Sequence, residues 1–301
     1  MSKPATMIAA ALIVRNEASE IEACLDTLEM FDEIVVVDTG SSDGTPGIVR
    51  DWALRRPSLR VVVSDFAWID DFSAARNYAG ARAAALGAEW VLHFDADMRL
   101  CQGGAAALRA ACAEAAGRTM AVTQESMAGG WRNRRVLCLR PGVAWQGRIH
   151  EAPEADDGET AAGVIVRYGW SDSHSYDPDR NLRILRAEAD REATARTCYY
   201  LGSELYERGE LGEAAWWLEL AARKSAWRPE RADALLYLAK IRWRQNEGEE
   251  ARRHCLASLA NVPECKEALM LMAEMSYPEQ AETWRRFAEI ANNHGCLFAR
   301  S

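Results

Sequence analysis

The chain has 301 residues, room for two domains, and 49% of them are hydrophobic, enough to fill two cores. A formal net charge of −9 disfavours a general nucleic-acid binder, which needs a basic face, and leaves only a local basic groove around Arg132, Arg134 and Arg135. Eight cysteines are scattered with no C-x-x-C pair, which argues against a zinc site or a disulfide framework and fits small core residues in a reducing cytosol.

Met7 to Val14 reads as a first strand. It is too short for a transmembrane span and lacks the cleavage region of a signal peptide. Ser19 to Met30 has helical spacing, with Ile21, Cys24, Leu25 and Leu28 on one side. The β-branched run Ile34 to Val37 predicts a second, fully buried strand. Thr39 to Pro46 is dense in turn and cap residues, and a helix is expected from Gly47 to Arg55. Leu59 to Ser64 is a third strand, Phe72 to Leu86 an Ala-rich helix and Trp90 to Phe94 a fourth strand. Such alternation predicts a parallel sheet covered on both faces. A helix over Ala105 to Ala116 follows, and Met120 to Val166 reads as antiparallel strands added to the sheet.

The character changes near Asp177, so the expected domains are 1–177, an α/β domain, and 178–301, an all-α domain. Leu201 to Ala214 and Leu238 to Ala251 align without gaps at an offset of 37 residues, and a shorter third copy is expected from Ala268 to Ala281. A small residue, a bulky residue, a turn and then Glu-Ala is the pattern of tetratricopeptide-like helix pairs, which stack because one pair cannot bury its apolar face alone. Trp216, Trp217, Trp227, Trp243 and Trp284 are expected mostly to pack between helices; the competing reading is an exposed aromatic surface that grips an acceptor or a second copy.

The chemistry is expected at strand ends. Asp95-Ala-Asp97 follows the fourth strand, at the edge where a parallel sheet binds ligands, and two acids there suggest a divalent metal and a phosphate-bearing ligand. Asp38 ends the second strand, where a carboxylate can accept from a base N–H or a ribose hydroxyl. Ser41, Ser42 and Asp43 fit a helix cap equally well, Asp70-Asp71 fits a turn or the cap of the Phe72 helix, and Glu17 fits a cap of the Ser19 helix. His93, inside a strand, reads as core, and His150 as structural or functional.

Four blocks in order, Ile13–Glu17, Val35–Thr45, Asp71–Asn77 and Phe94–Asp97, resemble family 2 glycosyltransferases, the inverting nucleotide-sugar enzymes of the GT-A fold. Trp145–Glu151, His174–Tyr176, Arg180-Asn181 and the helical half narrow the likeness to a subfamily with lipopolysaccharide-core glycosyltransferases and bacteriocin peptide S-glycosyltransferases. The resemblance implies a GT-A (Rossmann-like) nucleotide-sugar domain followed by an all-α tetratricopeptide-like helical repeat domain. It further implies Mn²⁺ or Mg²⁺, a nucleotide-diphosphate sugar as donor (a UDP-sugar favoured) and a peptide or saccharide acceptor. By position, Asp38 contacts the nucleoside, Arg76 the base or diphosphate, and Asp95 the ribose or the metal's water. Asp97 ligates the metal with Asp95 beside it, His174 completes that site, and Glu151 is the catalytic base. Arg15 and Glu17 fall in the first nucleotide-binding block, Arg15 where relatives carry a base-stacking aromatic. Met98 stands where the subfamily usually has an acid. Two other functions fit parts of the pattern: transfer to a modified nucleobase in DNA, and a helical-repeat scaffold with a degenerate transferase domain. A homodimer through the helical half and a cytoplasmic location complete the expectations.

Overall fold

The structure, a computed structural model, describes residues 6–129, 132–169, 171 and 177–291. It falls into two compact units, Met1–Pro178 and Asp179–Ser301. No helix among the described residues is long and apolar enough to cross a membrane.

The first unit begins with β1 (Ile8–Val14), α1 (Ile21–Asp26), β2 (Glu33–Asp38), α2 (Thr45–Leu54), β3 (Arg60–Asp65), α3 (Phe72–Ala85) and β4 (Trp90–Phe94). It continues with β5 (Met98–Leu100), α4 (Gly104–Glu114), β6 (Thr119–Ser126), β7 (Arg132–Leu139), β8 (Trp145–Gln146), β9 (Ala152–Pro153) and β10 (Thr160–Tyr168). One eight-stranded sheet has the order β3-β2-β1-β4-β7-β6-β10-β5, and β8 and β9 form a separate ribbon. β3, β2, β1 and β4 are parallel; β1, β2 and β4 are buried apolar runs, as a sheet covered on both faces demands, and β3 at the edge is half-exposed. From β1 the chain first builds outward through β2 and β3, then returns to the other side of β1 with β4. That reversal opens a crevice at the carboxyl ends of β1, β2 and β4.

Both faces of the sheet are covered. On one, Leu25, Trp52, Leu108, Leu12 and Phe94 belong to the main core. On the other, Ala79 and Ala83 of α3 meet Ala9, Ala11, Val35 and Val37. The alanines of α3 have no bulk to hold it off, so the helix lies close to the strands. All seven cysteines among the described residues are free thiols, six of them buried. Cys296 lies outside the described residues.

Two expectations need correcting. The first helix is short, because Thr27 donates its hydroxyl to the Cys24 carbonyl (2.7 Å) and the chain then closes with i→i−3 bonds. The later strands are not simply antiparallel: β7 is antiparallel to β4 and β6, but β10 returns parallel to β6 and pairs antiparallel with β5. β5 is only three residues long, too short to show a period.

The second unit is α5 (Arg180–Arg191), α6 (Ala195–Glu207), α7 (Leu211–Lys224), α8 (Arg228–Arg244), α9 (Gly248–Asn261), α10 (Lys266–Glu274) and α11 (Pro278–Ile290). The repeat shows in the caps. Gly209 after α6 and Asn246 after α8 both have left-handed backbone, φ 81° and 61°. Each is followed by an N–H that reaches back into its helix, Glu210 to Leu205 and Glu247 to Arg242 (2.9 Å each). Glycine and asparagine are the residues that tolerate this conformation best. The small residue of the repeat, Gly202, lets α7 approach α6: a Cβ there would lie 2.7 Å from Leu218 Cγ. The tryptophans depart from expectation. Trp216, Trp227 and Trp243 are exposed, at 54%, 52% and 39%. Ala214, Ala215, Leu218 and Ala221 occupy the buried stripe of α7, which leaves Trp216 outside.

Candidate active site

The crevice is built by loops tied to one another. Asn16 has left-handed backbone (φ 56°), and its N–H donates to Ser41 Oγ (2.9 Å) while its side-chain oxygen accepts from Ser42 N (2.7 Å). Glu17 N donates to Thr45 Oγ1 (2.8 Å) and Ala18 N to Asp43 Oδ2 (3.1 Å). Asp38, 6% exposed, accepts from Gly40 N, Ser41 N and Ser41 Oγ. Asp38, Ser41, Ser42 and Asp43 therefore hold the two loops together. Asp71 is the N-cap of α3, accepting from Ala74 N (2.9 Å). Glu17 does not cap α1 with its side chain; its carboxylate accepts from Ser171 Oγ (2.5 Å).

Arg76 joins the expected acids. It is buried, with Nη2 2.8 Å from Asp95 Oδ1 and Nε 2.5 Å from Glu151 Oε1. Burial works against its charge, but the two carboxylates outweigh that and keep it firmly protonated. Burial likewise pushes the Glu151 carboxyl up, and the Arg76 charge and hydrogen bond override it, leaving Glu151 below its ordinary range. Glu151 is held in place because Asn77 clamps the preceding loop: its amide donates to the Trp145 carbonyl (3.0 Å) and its oxygen accepts from Trp145 N (2.8 Å). Asn77 and Trp145 sat inside the quoted blocks, yet their positioning role was not legible there, because it needs the loop and the helix to meet.

Asp97 is 5% exposed and has been pushed up to about 8, by burial first and then by the charges of Asp95 and Glu17. Its carbonyl accepts from Gly169 N (2.9 Å), where a side chain would crowd that oxygen. The Tyr168 phenol is raised by burial and by Asp97 and Asp95, so it remains a neutral donor at this edge. Met98 is buried in the core, 1% exposed, and cannot contact a ligand as an acid at that position would. Arg15 is exposed beside the crevice loops. His150 is half-buried with left-handed backbone (φ 52°). His174, Asp172 and Tyr176 lie outside the described residues.

His93 is a core residue. It is 3% exposed, its ring meets Trp145 edge-on at 5.2 Å, and burial and the Arg76 charge push it down to about 3. It lines a cavity of about 310 Å³ behind Arg76 and Asn77.

Among the described residues no three His, Cys, Asp or Glu side chains are grouped as a metal would need. Burial first, and then the charges of Asp95 and Glu17, resist ionisation of Asp97, and a hard divalent cation would relieve the part that is repulsion.

Residues 10–103 match the family described as Glycosyl transferase family 2. That match lies within the first unit. A TPR repeat-containing protein of Synechococcus elongatus is 30% identical over 266 residues, 80% of this chain and 62% of that protein. The lipopolysaccharide core biosynthesis glycosyltransferase LpsC of Rhizobium meliloti is 32% identical over 100 residues, 32% of this chain and 34% of that one. The chain thus spans less than two thirds of the length of either relative. Among solved structures, S. aureus TarS 1-349 in complex with UDP-GlcNAc aligns over 94% of this chain and 90% of that one, at 14% identity and a TM-score of 0.47.

Proposed function

We propose that the protein is an inverting, metal-dependent glycosyltransferase of the cytoplasm that moves a sugar from a nucleotide-diphosphate sugar, a UDP-sugar favoured, to a peptide or a lipid-linked saccharide. One observation carries the reading: the buried Arg76 joins the half-buried Asp95 to Glu151, at the sheet edge that also bears Asp38 and Asp97. The family 2 domain over residues 10–103 supports it.

In this reading the acceptor's nucleophile attacks the anomeric carbon from the face opposite the leaving group. The bond from that carbon to the diphosphate oxygen breaks, and the nucleoside diphosphate departs with the electron pair. Glu151 takes the acceptor's proton. Its depressed pKa keeps it ionised and ready at neutral pH, at some loss of basicity. Arg76 orients Glu151 in this geometry, and its charge suits phosphate as well as carboxylate. Asp38 and the loop it organises receive the nucleoside, with Arg15 at the rim to stack on the base and Glu17 on the adjoining loop. Asp97 and Asp95 would hold Mn²⁺ or Mg²⁺ with His174, and the cation would supply charge to stabilise the leaving diphosphate. The hydrogen bond from Ser171 to Glu17 puts Ser171 at this edge.

The macromolecular acceptor is supported by the helix pairs and by the exposed Trp216, Trp227 and Trp243. The free thiols fit a reducing compartment. The test is to incubate the protein with UDP-, GDP- and dTDP-sugars in Mn²⁺ and in EDTA. The expected result is that one donor raises the melting temperature only with metal and is slowly hydrolysed; a hundredfold excess over Kd stabilises by about 2.7 kcal/mol. If no nucleotide sugar shifts the melt in either Mn²⁺ or Mg²⁺, the reading fails.

A further inference from the structure

The transferase reading leaves one cation of the edge without a task. The cluster Arg132, Arg134, Arg135 looks from the sequence like one basic groove, but β7 divides it, because successive side chains of a strand point to opposite faces. Arg132 pairs with Glu125 at 3.3 Å. Arg134 forks onto both oxygens of Asp156 at 2.8 Å and reaches Thr160 and the Gly158 carbonyl. Arg135 faces the other way. Its partner across the ladder is Val122, a core residue, and it is itself half-buried.

Arg135 is the exception to the pairing. Among the described residues its side chain makes no hydrogen bond and no ion pair. The register shows where it stands. β4 and β7 pair as Val91 with Leu139 and Leu92 with Cys138, and Arg135, past the register shift between Cys138 and Val136, lies along β7 toward the carboxyl end of β4. Its charge is felt at Glu151 and at Tyr168, on the two sides of the crevice. Glu151 does not need it, since Arg76 already holds that carboxylate.

The charge balance of the edge gives Arg135 a purpose. Asp97 lies among the charges of Asp95 and Glu17, Arg76 pairs with Asp95 and Glu151, and Arg99 is engaged by Glu20 (2.6 Å). A phosphate or carboxylate approaching these acids is repelled unless a further cation receives it. A half-buried guanidinium with no carboxylate of its own is desolvated at a cost, and a bidentate anion recovers it.

We propose that Arg135 is an anion-binding residue of the crevice, and that it takes a phosphate or carboxylate group of a substrate. The proposal rests on the transferase reading for the word substrate, but not for the anion site. Two sources share this chemistry: the diphosphate of the donor, and an anionic group on the acceptor.

The test compares the wild type with Arg135→Gln and Arg135→Lys in Mn²⁺, by calorimetric titration with UDP, uridine and inorganic phosphate. If the donor supplies the anion, Arg135→Gln weakens UDP about tenfold or more and leaves uridine unchanged. If the acceptor does, UDP binding is unchanged and inorganic phosphate is weakened about tenfold. Arg135→Lys keeps the charge without the fork and gives an intermediate Kd, and it still reports if the Gln variant does not fold. Equal affinities of wild type and Arg135→Gln for both UDP and phosphate overturn the proposal, as does a wild type that binds neither UDP nor phosphate. Arg135-dependent phosphate binding in a protein that binds no nucleotide sinks the transferase reading alone and leaves the anion site standing.

Discussion

In the first unit the charged side chains cluster where the sheet ends and are taken out of water there: Arg76, Asp97 and Asp38 are 7%, 5% and 6% exposed. In the second unit most ion pairs lie on helix surfaces, as Arg186 with Glu213 does at 2.9 Å, and the interior is closed by small residues and aromatics. Among its buried acids, Asp233 accepts a hydrogen bond from the Tyr199 hydroxyl. Surface pairs contribute little to stability and cost little. Buried like-charged acids cost a great deal, and a fold keeps them for a ligand rather than for itself. The contrast teaches where to look: a change at the sheet edge should move chemistry, and a change between helices should move stability.

The sharpest test of that contrast is Glu151→Gln. The rate of transfer is expected to fall by about 10²–10⁴, the usual worth of a positioned base, with donor Kd unchanged. Steady-state kinetics beside donor titration decide it; a rate close to wild type on a hydroxyl acceptor would take Glu151 out of the mechanism.

Next in size is Gly202→Ala in the second unit. The new methyl meets Leu218, itself fully buried, so overpacking should cost about 1–3 kcal/mol. Chemical denaturation reads the loss, and donor hydrolysis below the melting range should be untouched. Loss of hydrolysis in a still-folded variant would break the division of labour between the units.

The last test is a slope with pH. Asp97 titrates near 8 in the folded chain against 3.8 as a free carboxyl, so the folded state holds the extra proton between those values. Metal-free stability should therefore fall as pH rises from about 4 to about 8, by at most about 1.4 kcal/mol per unit. Asp97→Asn should remove that slope in melting curves run in EDTA. A wild type whose stability is flat over this range contradicts the picture of acids in mutual repulsion.

Much of this was readable without a structure. The alternation of apolar runs and helical spacing determined the four parallel strands and α3; β1, β2 and β4 stand out because a strand buried on both faces has to be apolar throughout. Asp38 and Asp95-Ala-Asp97 were legible as strand-end acids for the same reason: the apolar run stops and the acid begins. The helix pairs were legible because their period repeats, and the left-handed caps Gly209 and Asn246 fall at matching places in it. What only the tertiary structure decided are the meetings of distant residues. The Arg76 bridge to Glu151 spans 75 positions in the chain, and the Ser171 bond to Glu17 spans 154. The parallel return of β10 onto β6, the outward-facing tryptophans and the separation of Arg135 from its neighbours Arg132 and Arg134 belong to the same class. Periodicity reports which face of its own element a residue occupies. It carries no information about which other element will be packed against that face, and at this crevice that second fact determines which charges are neutralised and which wait for a ligand.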